Sequence, residues 1–214
     1  MAHSYSGLKQ YETCPASYKF SRIDKLPNPS GPAAERGVML HTALEKALLG
    51  DDTPLPDDIK HVWPTILELR AVKAQPERKF AITRDWQPCD FKDSNAWFRG
   101  IIDVYIKNLP RVMLSDWKSG KIREYGDQLT VYSTIIFTFE PAAEEIKPLI
   151  HFVDQKKKPH VDYPVIARAE YDELKSSLER RVIRIEEDKI FAPNPNWGCR
   201  YCHFRKDNGG PCAW

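Results

Sequence analysis

Two aspartates and a lysine, Asp103, Asp116 and Lys118, lie on neighbouring segments whose composition is typical of β-strands. These segments, residues 97–107 and 112–118, are rich in β-branched and aromatic residues. Residues two apart on a strand point the same way, so Asp116 and Lys118 share a face. Carboxylate oxygens are the ligands that Mg²⁺ and Mn²⁺ prefer, and a lysine beside them supplies a positive charge. The set therefore favours chemistry at a divalent cation.

A short turn between the two segments determines which residues face each other. Residues 108–111, Asn-Leu-Pro-Arg, suit a four-residue turn, because proline fits turns better than ladders. If Lys107 then faces Val112, Asp103 lies opposite Asp116 on the same face, with β-carbons about 5 Å apart. Opposed carboxylates repel each other unless a cation lies between them. Such an ion can polarise a phosphoryl oxygen, so we predict phosphodiester hydrolysis; a solvated surface pair is the alternative.

Length, composition and charge limit the class of protein. The 214 residues, 42% of them apolar, suffice for one substantial core, so we predict a single domain over residues 1–214. Apolar stretches are too short for a membrane span, and the first residues lack a secretory signal. We therefore expect a cytoplasmic protein without a membrane partner. A net charge of +2 confines any DNA-binding surface to a local patch.

The elements that position these residues follow from the periodicity of the sequence. They are helices at 6–20, 37–49 and 59–74, strands at 79–83, 97–107 and 112–118, a helix at 126–139, a strand at 148–154 and a helix at 169–189. Three strands in succession predict an antiparallel meander. Predicted helices precede and follow these strands in the sequence, which indicates a fold that contains both helices and strands.

Five short motifs occur in order along the chain. They are Gly37-Val-Met-Leu-His41, Gly100-Ile-Ile-Asp103, Asp116-Trp-Lys118 with Ser119-Gly120, Gln128-Leu-Thr-Val-Tyr132, and a set of cysteines near the two ends. Together they resemble the RecB-type branch of the PD-(D/E)XK nuclease superfamily over most of the chain. The resemblance implies an α/β (α+β) fold with a restriction-endonuclease-like core, in which helices flank a mixed central sheet.

The resemblance also implies which residues hold the metal. His41, Asp103, Asp116 and the carbonyl of Trp117 would bind Mg²⁺ or Mn²⁺, and Lys118 would be the catalytic lysine. Taken alone, a histidine such as His41 is more often a hydrogen-bonded core residue than a metal ligand, because apolar residues surround it at helical spacing. The occurrence of all the motifs in order favours the metal site.

Two further residues complete the catalytic set that the resemblance implies. Gln128 and Tyr132 are four residues apart and share a helix face, where they can meet a DNA strand or brace the lysine. Tyr132 is equally plausible as a core residue. Glu77, just before the first predicted strand, is a candidate for an additional acid.

The cysteines predict a second metal centre. Cys199 and Cys202 have the two-residue gap that lets two thiolates reach one metal, and Cys212 follows a Gly-Gly-Pro sequence. Cys14, in Thr-Cys-Pro, resembles the distant cysteine that completes a 4Fe-4S cluster in iron-sulfur RecB-like nucleases, including AddB-type and CRISPR-associated ones. We predict a 4Fe-4S cluster, with zinc as the alternative, because four thiolates suit both.

This centre would join the two ends of the chain into one subregion, residues 1–20 with 191–214. Cys89 fits no ligand pattern and is predicted to be free. His3 and His203 are spare ligands if the metal is zinc. Since redox chemistry has no obvious place in phosphodiester hydrolysis, we expect a structural role.

Basic residues near the motifs are candidates for phosphate contacts. Lys121 follows the Asp-Trp-Lys motif, and Lys156, Lys157 and Lys158 form the densest basic run. A nuclease without sequence preference binds mainly through the DNA backbone, so a local patch suffices. A solvated loop is the alternative interpretation of this run.

These observations lead to one hypothesis and two alternatives. We expect a metal-dependent exonuclease that acts on single-stranded or duplex DNA ends, in phage or prokaryotic DNA replication, recombination or degradation. It would work in the bacterial cytoplasm, or in that of the host if a phage encodes it. The alternatives are a CRISPR-associated end-trimming nuclease and an inactive DNA-binding module with a structural metal.

Overall fold

The computed structural model describes residues 2–157 and 160–214 of the chain. The helices are α1 (Tyr5–Thr13), α2 (Pro15–Tyr18), α3 (Pro32–Leu48), α4 (Trp63–Ala71), α5 (Gly126–Phe139) and α6 (Tyr171–Glu187). The strands are β1 (His3–Ser4), β2 (Gln75–Ile82), β3 (Pro88–Cys89), β4 (Phe98–Asn108), β5 (Arg111–Lys118), β6 (Glu145–Phe152), β7 (His160–Asp162) and β8 (Ile166–Ala167).

The chain divides into two compact units, and the division falls inside α6. The first, here called the core unit, comprises Ala2 and Pro32–Lys175. The second, here called the terminal unit, comprises His3–Gly31 and Ser176–Trp214 and contains all four cysteines of the predicted centre. A single nuclease domain over the whole chain stays a prediction.

The core unit is built on a mixed sheet with the strand order β3-β2-β4-β5-β6-β7, and β8 also pairs with β6. Strands β2, β4 and β5 form the predicted antiparallel meander. Helix α5 then crosses over, so that β6 pairs with β5 in parallel, and a parallel neighbour requires such a connection. The predicted fold class, a mixed central sheet flanked by helices, is confirmed.

Helix α3 is held against the sheet by an apolar stripe. Leu40, Leu44 and Leu48 recur at helical spacing, and all three are buried in a cluster that includes Val104 and Trp117 of the sheet. Each such leucine contributes about 1.5–3 kcal/mol when fully buried. The packing therefore anchors the helix that carries the histidine of the predicted site. No helix within the described residues combines the length and apolar character that crossing a bilayer requires.

Some element boundaries differ from the predicted ones. Helix α3 begins at Pro32 rather than Gly37, because a proline is tolerated in the first turn of a helix. Strand β2 begins at Gln75 rather than Lys79. Charged residues interrupt the alternation of apolar and polar residues at the start of β2, and pairing with β4 extends the strand. Strand β6 begins at Glu145, because it pairs with β5 from that residue onward.

Candidate active site

The hairpin of β4 and β5 carries the acidic pair. Lys107 faces Val112, as predicted from the turn, and the ladder keeps this register until one step before Asp103 and Asp116. At that step the backbone amide of Trp117 donates a hydrogen bond of 2.7 Å to Oδ2 of Asp103. Where Asp103 and Asp116 face each other, the Asp103 side chain therefore accepts a hydrogen bond from the backbone of β5. The bond fixes the backbone between Asp116 and the lysine that follows.

Glu77 adds a third acid to the same row of the sheet. The pairs of β2 with β4 on either side bring Glu77 level with Asp103, so the row runs Glu77, Asp103, Asp116 across three strands. Glu77 therefore lies inside β2, and its predicted position before the strand is wrong. Its φ of 47° is in the left-handed region, which costs a non-glycine residue about 1 kcal/mol or more. Neighbouring structure must impose this conformation.

Helix α3 brings His41 to the acidic row. His41 Nδ1 lies 3.4 Å from Asp103 Oδ2, and donor atoms of His41, Glu77 and Asp103 all lie within 4.8 Å of one another. An open cavity of about 390 Å³, lined also by Glu45, contains this group. One imidazole nitrogen and several carboxylate oxygens form a donor set that fits Mg²⁺ or Mn²⁺.

Electrostatics around this cavity favour a bound cation. Burial raises the pKa of Glu77, and the negative charges of Asp103 and Glu45 raise it further. Burial alone would lower the pKa of His41, but the hydrogen bond and charge of Asp103 outweigh it, so that pKa is raised. Neighbouring carboxylates thus act on both pKa values in the direction that an excess of negative charge produces. Glu45 was missed by sequence reasoning, although it lies one helical turn beyond His41 and so on the same face.

Asp116 is buried at the centre of the site, with 4% of its surface exposed. Gln128 on α5 donates a hydrogen bond of 2.9 Å from Nε2 to Asp116 Oδ1, and the ammonium of Lys118 contacts Oδ2. Burial raises the pKa of Asp116, the charge of Asp103 raises it further, and Lys118 opposes both. Gln128 was predicted to meet DNA or brace the lysine; its amide contacts the Asp116 carboxylate, which in turn contacts Lys118.

The ammonium of Lys118 lies between an acid and an aromatic ring. Its Nζ contacts Asp116 and lies 5.0 Å from the centroid of the Tyr125 ring, where a cation–π interaction is favourable. Tyr125 was missed because it occurs in the loop before α5, outside every motif. The loop after Lys118 is tied down at Gly120, whose φ is 84° and whose amide donates to Asp154.

Two residues of the predicted site have roles set by packing. The side chain of Trp117 is 2% exposed and belongs to the α3 cluster, so only its backbone is available to the site. The ring of Tyr132 is half-buried and packs against Gly100, where an added β-carbon would lie 3.3 Å from the ring. This close approach explains the glycine of the first acidic motif.

The basic residues proposed as DNA contacts are exposed where the structure describes them. Lys121 lies in the loop after β5, and Lys156 and Lys157 lie in the loop after β6. Lys158 lies outside the described residues. Exposure of these three lysines is compatible both with phosphate contact and with a solvated loop.

The four predicted cluster cysteines line one cavity in the terminal unit. Cys14, Cys199, Cys202 and Cys212 all border this cavity, whose volume is about 220 Å³. All five cysteines of the chain lie within the described residues, and no three of their sulfurs come within 4.8 Å of one another. Cys89 belongs to the core unit and does not border this cavity.

Backbone amides near the cavity donate hydrogen bonds to two of these sulfurs. The amides of Asn194 and Asn196 donate hydrogen bonds of 3.4 and 3.3 Å to the sulfurs of Cys14 and Cys199. Of the spare histidines, His203 also lines the cavity, whereas Nε2 of His3 lies 3.3 Å from Glu186. Two backbone amides therefore donate to sulfurs of the predicted centre.

The fold and the acidic site agree with the comparison of the sequence with protein families. Residues 2–206 match the model of the PD-(D/E)XK nuclease superfamily, and the chain belongs to this superfamily. No curated protein matches the chain in sequence.

Solved structures that are similar to this one include the following two. The first is described as a proposed exonuclease from Eubacterium rectale; it has a TM-score of 0.57 and 12% identity, over 100% of this chain and 89% of that chain. At this identity the similarity shows a shared fold. The second, SSO0001, has a TM-score of 0.49 and 16% identity, over 95% of this chain and 83% of that chain.

Replacing Gln128 with leucine is expected to weaken catalysis by about 10- to 100-fold, the usual effect of removing a residue that orients a metal ligand, which is the role that the resemblance implies for Asp116. The reason is that Asp116 loses the donor that orients its carboxylate. The measurement is the rate of cleavage of linear DNA over a titration of Mn²⁺. Gln87→Leu, an exposed change in the core unit, is the control and should leave the titration unchanged. Wild-type cleavage by the Gln128 variant at low Mn²⁺ would contradict the orienting role.

Proposed function

We propose that the protein is a divalent-metal-dependent DNA exonuclease. The observation that carries this proposal is the metal-binding group of His41, Glu77 and Asp103 at the acidic row that continues to the buried Asp116–Lys118 pair. Membership of the PD-(D/E)XK nuclease superfamily supports hydrolysis of phosphodiester bonds. The similarity to a proposed exonuclease supports action at strand ends.

Mg²⁺ or Mn²⁺ would be held by His41, Asp103, Asp116 and the Trp117 carbonyl, with Glu77 as a further ligand. The donor set fits because it concentrates buried carboxylates that repel one another in the absence of a cation. When bound, the ion stabilises negative charge on the phosphate and makes water a better nucleophile at neutral pH.

The protein's own side chains divide the remaining tasks. Lys118 places a positive charge beside Asp116, where it can stabilise the charge that develops on the phosphate. Gln128 orients Asp116, and Asp103 fixes the backbone at Trp117. Tyr132 completes the catalytic set by bracing α5 against β4 through its contact with Gly100.

DNA is the proposed substrate, and exposed lysines would contact its backbone. Lys121 and the run that begins with Lys156 and Lys157 provide positive charge in the loops that follow β5 and β6. The proposed setting is DNA replication, recombination or degradation in the cytoplasm of a prokaryote, or of the host of a phage.

Cleavage of linear and covalently closed circular DNA tests this proposal. In Mg²⁺ or Mn²⁺ we expect the protein to degrade linear DNA from its ends and to leave circles intact, and removal of the metal should stop the reaction. Asp103→Asn should abolish cleavage, whereas the matched change Asp172→Asn, exposed in the first turn of α6, should not. Cutting of circles would indicate an endonuclease. Binding without cleavage in either metal would indicate the inactive DNA-binding alternative.

For the cysteine cavity we propose a 4Fe-4S cluster, of the kind found in the iron-sulfur branch of RecB-like nucleases. Four thiolates that bind zinc at about 2.3 Å in a tetrahedron bring their sulfurs to about 3.8 Å from one another. The four sulfurs border one cavity of about 220 Å³, which leaves room for a larger group. The cluster would connect the N-terminal and C-terminal segments of the terminal unit. Zinc is the alternative that metal analysis distinguishes.

A further inference from the structure

Two aromatic side chains of the terminal unit are almost fully exposed to solvent. Trp197 is 75% exposed and Tyr201 is 69% exposed, whereas Trp86, Trp97 and Trp117 are all buried. A large aromatic ring that is exposed to water lacks the favourable free energy of burial, and its flat face remains available to a ligand. The pair is therefore a candidate contact surface.

A single short turn presents both rings side by side. Trp197 and Tyr201 are the first and last residues of a 3-10 turn, and their ring centroids lie 6.4 Å apart at an interplanar angle of 79°. The guanidinium of Arg200 lies 5.5 Å from the centre of the Tyr201 ring, and its Nε donates a hydrogen bond of 3.0 Å to the carbonyl of Trp197. A cation is thus held beside the Tyr201 ring and tied to the backbone of Trp197.

The inner side of the same turn is anchored. Asn196 caps the turn by accepting a hydrogen bond of 2.9 Å from the amide of Gly198, and its own amide donates to the sulfur of Cys199. Cys199 and Cys202 line the cysteine cavity. The backbone that carries the exposed rings is therefore fixed by the proposed cluster site, which lowers the entropy that a ligand must remove on binding.

Charge around the turn is complementary to an anion. Residues 189–214 contain four basic residues, Lys189, Arg200, Arg205 and Lys206, against a single acid, Asp207. Because the whole chain has a net charge of only +2, the remainder is slightly negative and the excess of positive charge is local to this segment. A partner that combines negative charge with flat apolar faces fits this surface.

Single-stranded DNA has both properties. Its phosphates are negative and its unpaired bases expose π-faces that stack on aromatic side chains, whereas bases in a duplex are stacked on one another. We propose that Trp197, Arg200 and Tyr201 form a stacking surface for single-stranded DNA. This inference rests on the proposed nuclease function and specifies that the substrate includes a single-stranded segment.

Equilibrium binding of the full-length protein to a fluorescent oligothymidylate, without divalent ions, tests the proposal. The double variant Trp197→Ala, Tyr201→Ala should bind about 10- to 100-fold more weakly, given the usual effect of removing stacking residues. The variant Trp197→Phe, Tyr201→Phe keeps two rings and should bind within a few-fold of wild type. Ile190→Ala removes an apolar side chain of the same unit that is 82% exposed, and should have no effect.

A blunt-ended duplex of the same length serves as the second ligand. Its affinity should be the same for wild type and the alanine variant, because its bases are not free to stack. Wild-type affinity of the alanine variant for oligothymidylate would overturn the proposal, as would equal loss of duplex binding. A change in oligomeric state of that variant would overturn it in favour of a contact between copies of this chain.

Cleavage by the wild-type protein, measured separately in Mn²⁺, distinguishes failure of this inference from failure of the proposed function. Ring-dependent binding without cleavage would retain the stacking surface and reject the nuclease. Cleavage with ring-independent binding would retain the nuclease and reject the surface. Equal melting temperatures of the alanine and phenylalanine variants exclude unfolding as the cause of any difference between them.

Discussion

Replacing Lys118 with alanine is expected to lower the rate of DNA cleavage by about 100- to 1,000-fold, the usual effect of removing one group that stabilises transition-state charge. The ammonium contacts Asp116, and the Lys118 side chain is only 20% exposed. Inside a partly buried site its charge acts on the phosphate with less screening than in water. Loss of the charge should therefore reduce kcat far more than it affects KM.

Measurement of kcat, KM and Mn²⁺ affinity separates this role from that of the neighbouring acid. Lys118→Ala should still bind Mn²⁺, whereas Asp116→Asn should lose both cleavage and much of its Mn²⁺ affinity, because a ligand has been neutralised. Lys92→Ala, an exposed change in the core unit, is the matched control and should cleave normally. If the Lys118 variant digests linear DNA at the wild-type rate in Mg²⁺ or Mn²⁺, the assigned catalytic set is wrong.

Replacing Cys14 with serine is expected to remove the proposed cluster and to destabilise the terminal unit. Cys14 is the single proposed ligand on the N-terminal side, and it shares a cavity with Cys199, Cys202 and Cys212. Its loss opens a cross-link between segments far apart in sequence, and cross-links that close such long loops contribute about 4 kcal/mol or more. Anaerobically purified wild-type protein is expected to be brown, and this colour should be absent from the variant.

This effect is measured by the iron and zinc contents, by the visible absorption spectrum and by unfolding in denaturant. Cys89→Ser is the matched control, because Cys89 belongs to the core unit and does not border the cavity, so it should retain iron, colour and stability. A colourless wild-type protein with stoichiometric zinc would replace the cluster by a zinc site. Unchanged iron content in the Cys14 variant would exclude this cysteine as a ligand.

The hairpin shows which parts of the fold are predictable from sequence. The pairing of Lys107 with Val112 follows from a turn of a few residues, because register in a hairpin depends on local geometry. The start of β2 was predicted too late, since Glu77 and its charged neighbours hide the alternation of a strand. Only pairing with β4, distant in sequence, makes that segment a strand.

The same contrast applies to the site. His41, Asp103, Asp116 and Lys118 were predicted from residue types in a recognisable order. The left-handed conformation of Glu77 depends on the strands around it, so it could not be predicted from the spacing of residue types. Glu45 shares a helix face with the histidine and could have been found from its spacing.

Residue types and their local spacing predicted the main helices and strands and the register of the acidic hairpin, because these depend largely on nearby residues. The order of the motifs along the whole chain indicated the superfamily. Tertiary structure alone decided that Gln128 contacts Asp116, and it places in one cavity the four cysteines that the resemblance had assigned to one centre. It also decided that Trp117 is buried while Trp197 is exposed, since burial is a property of packing between distant segments rather than of the residue itself.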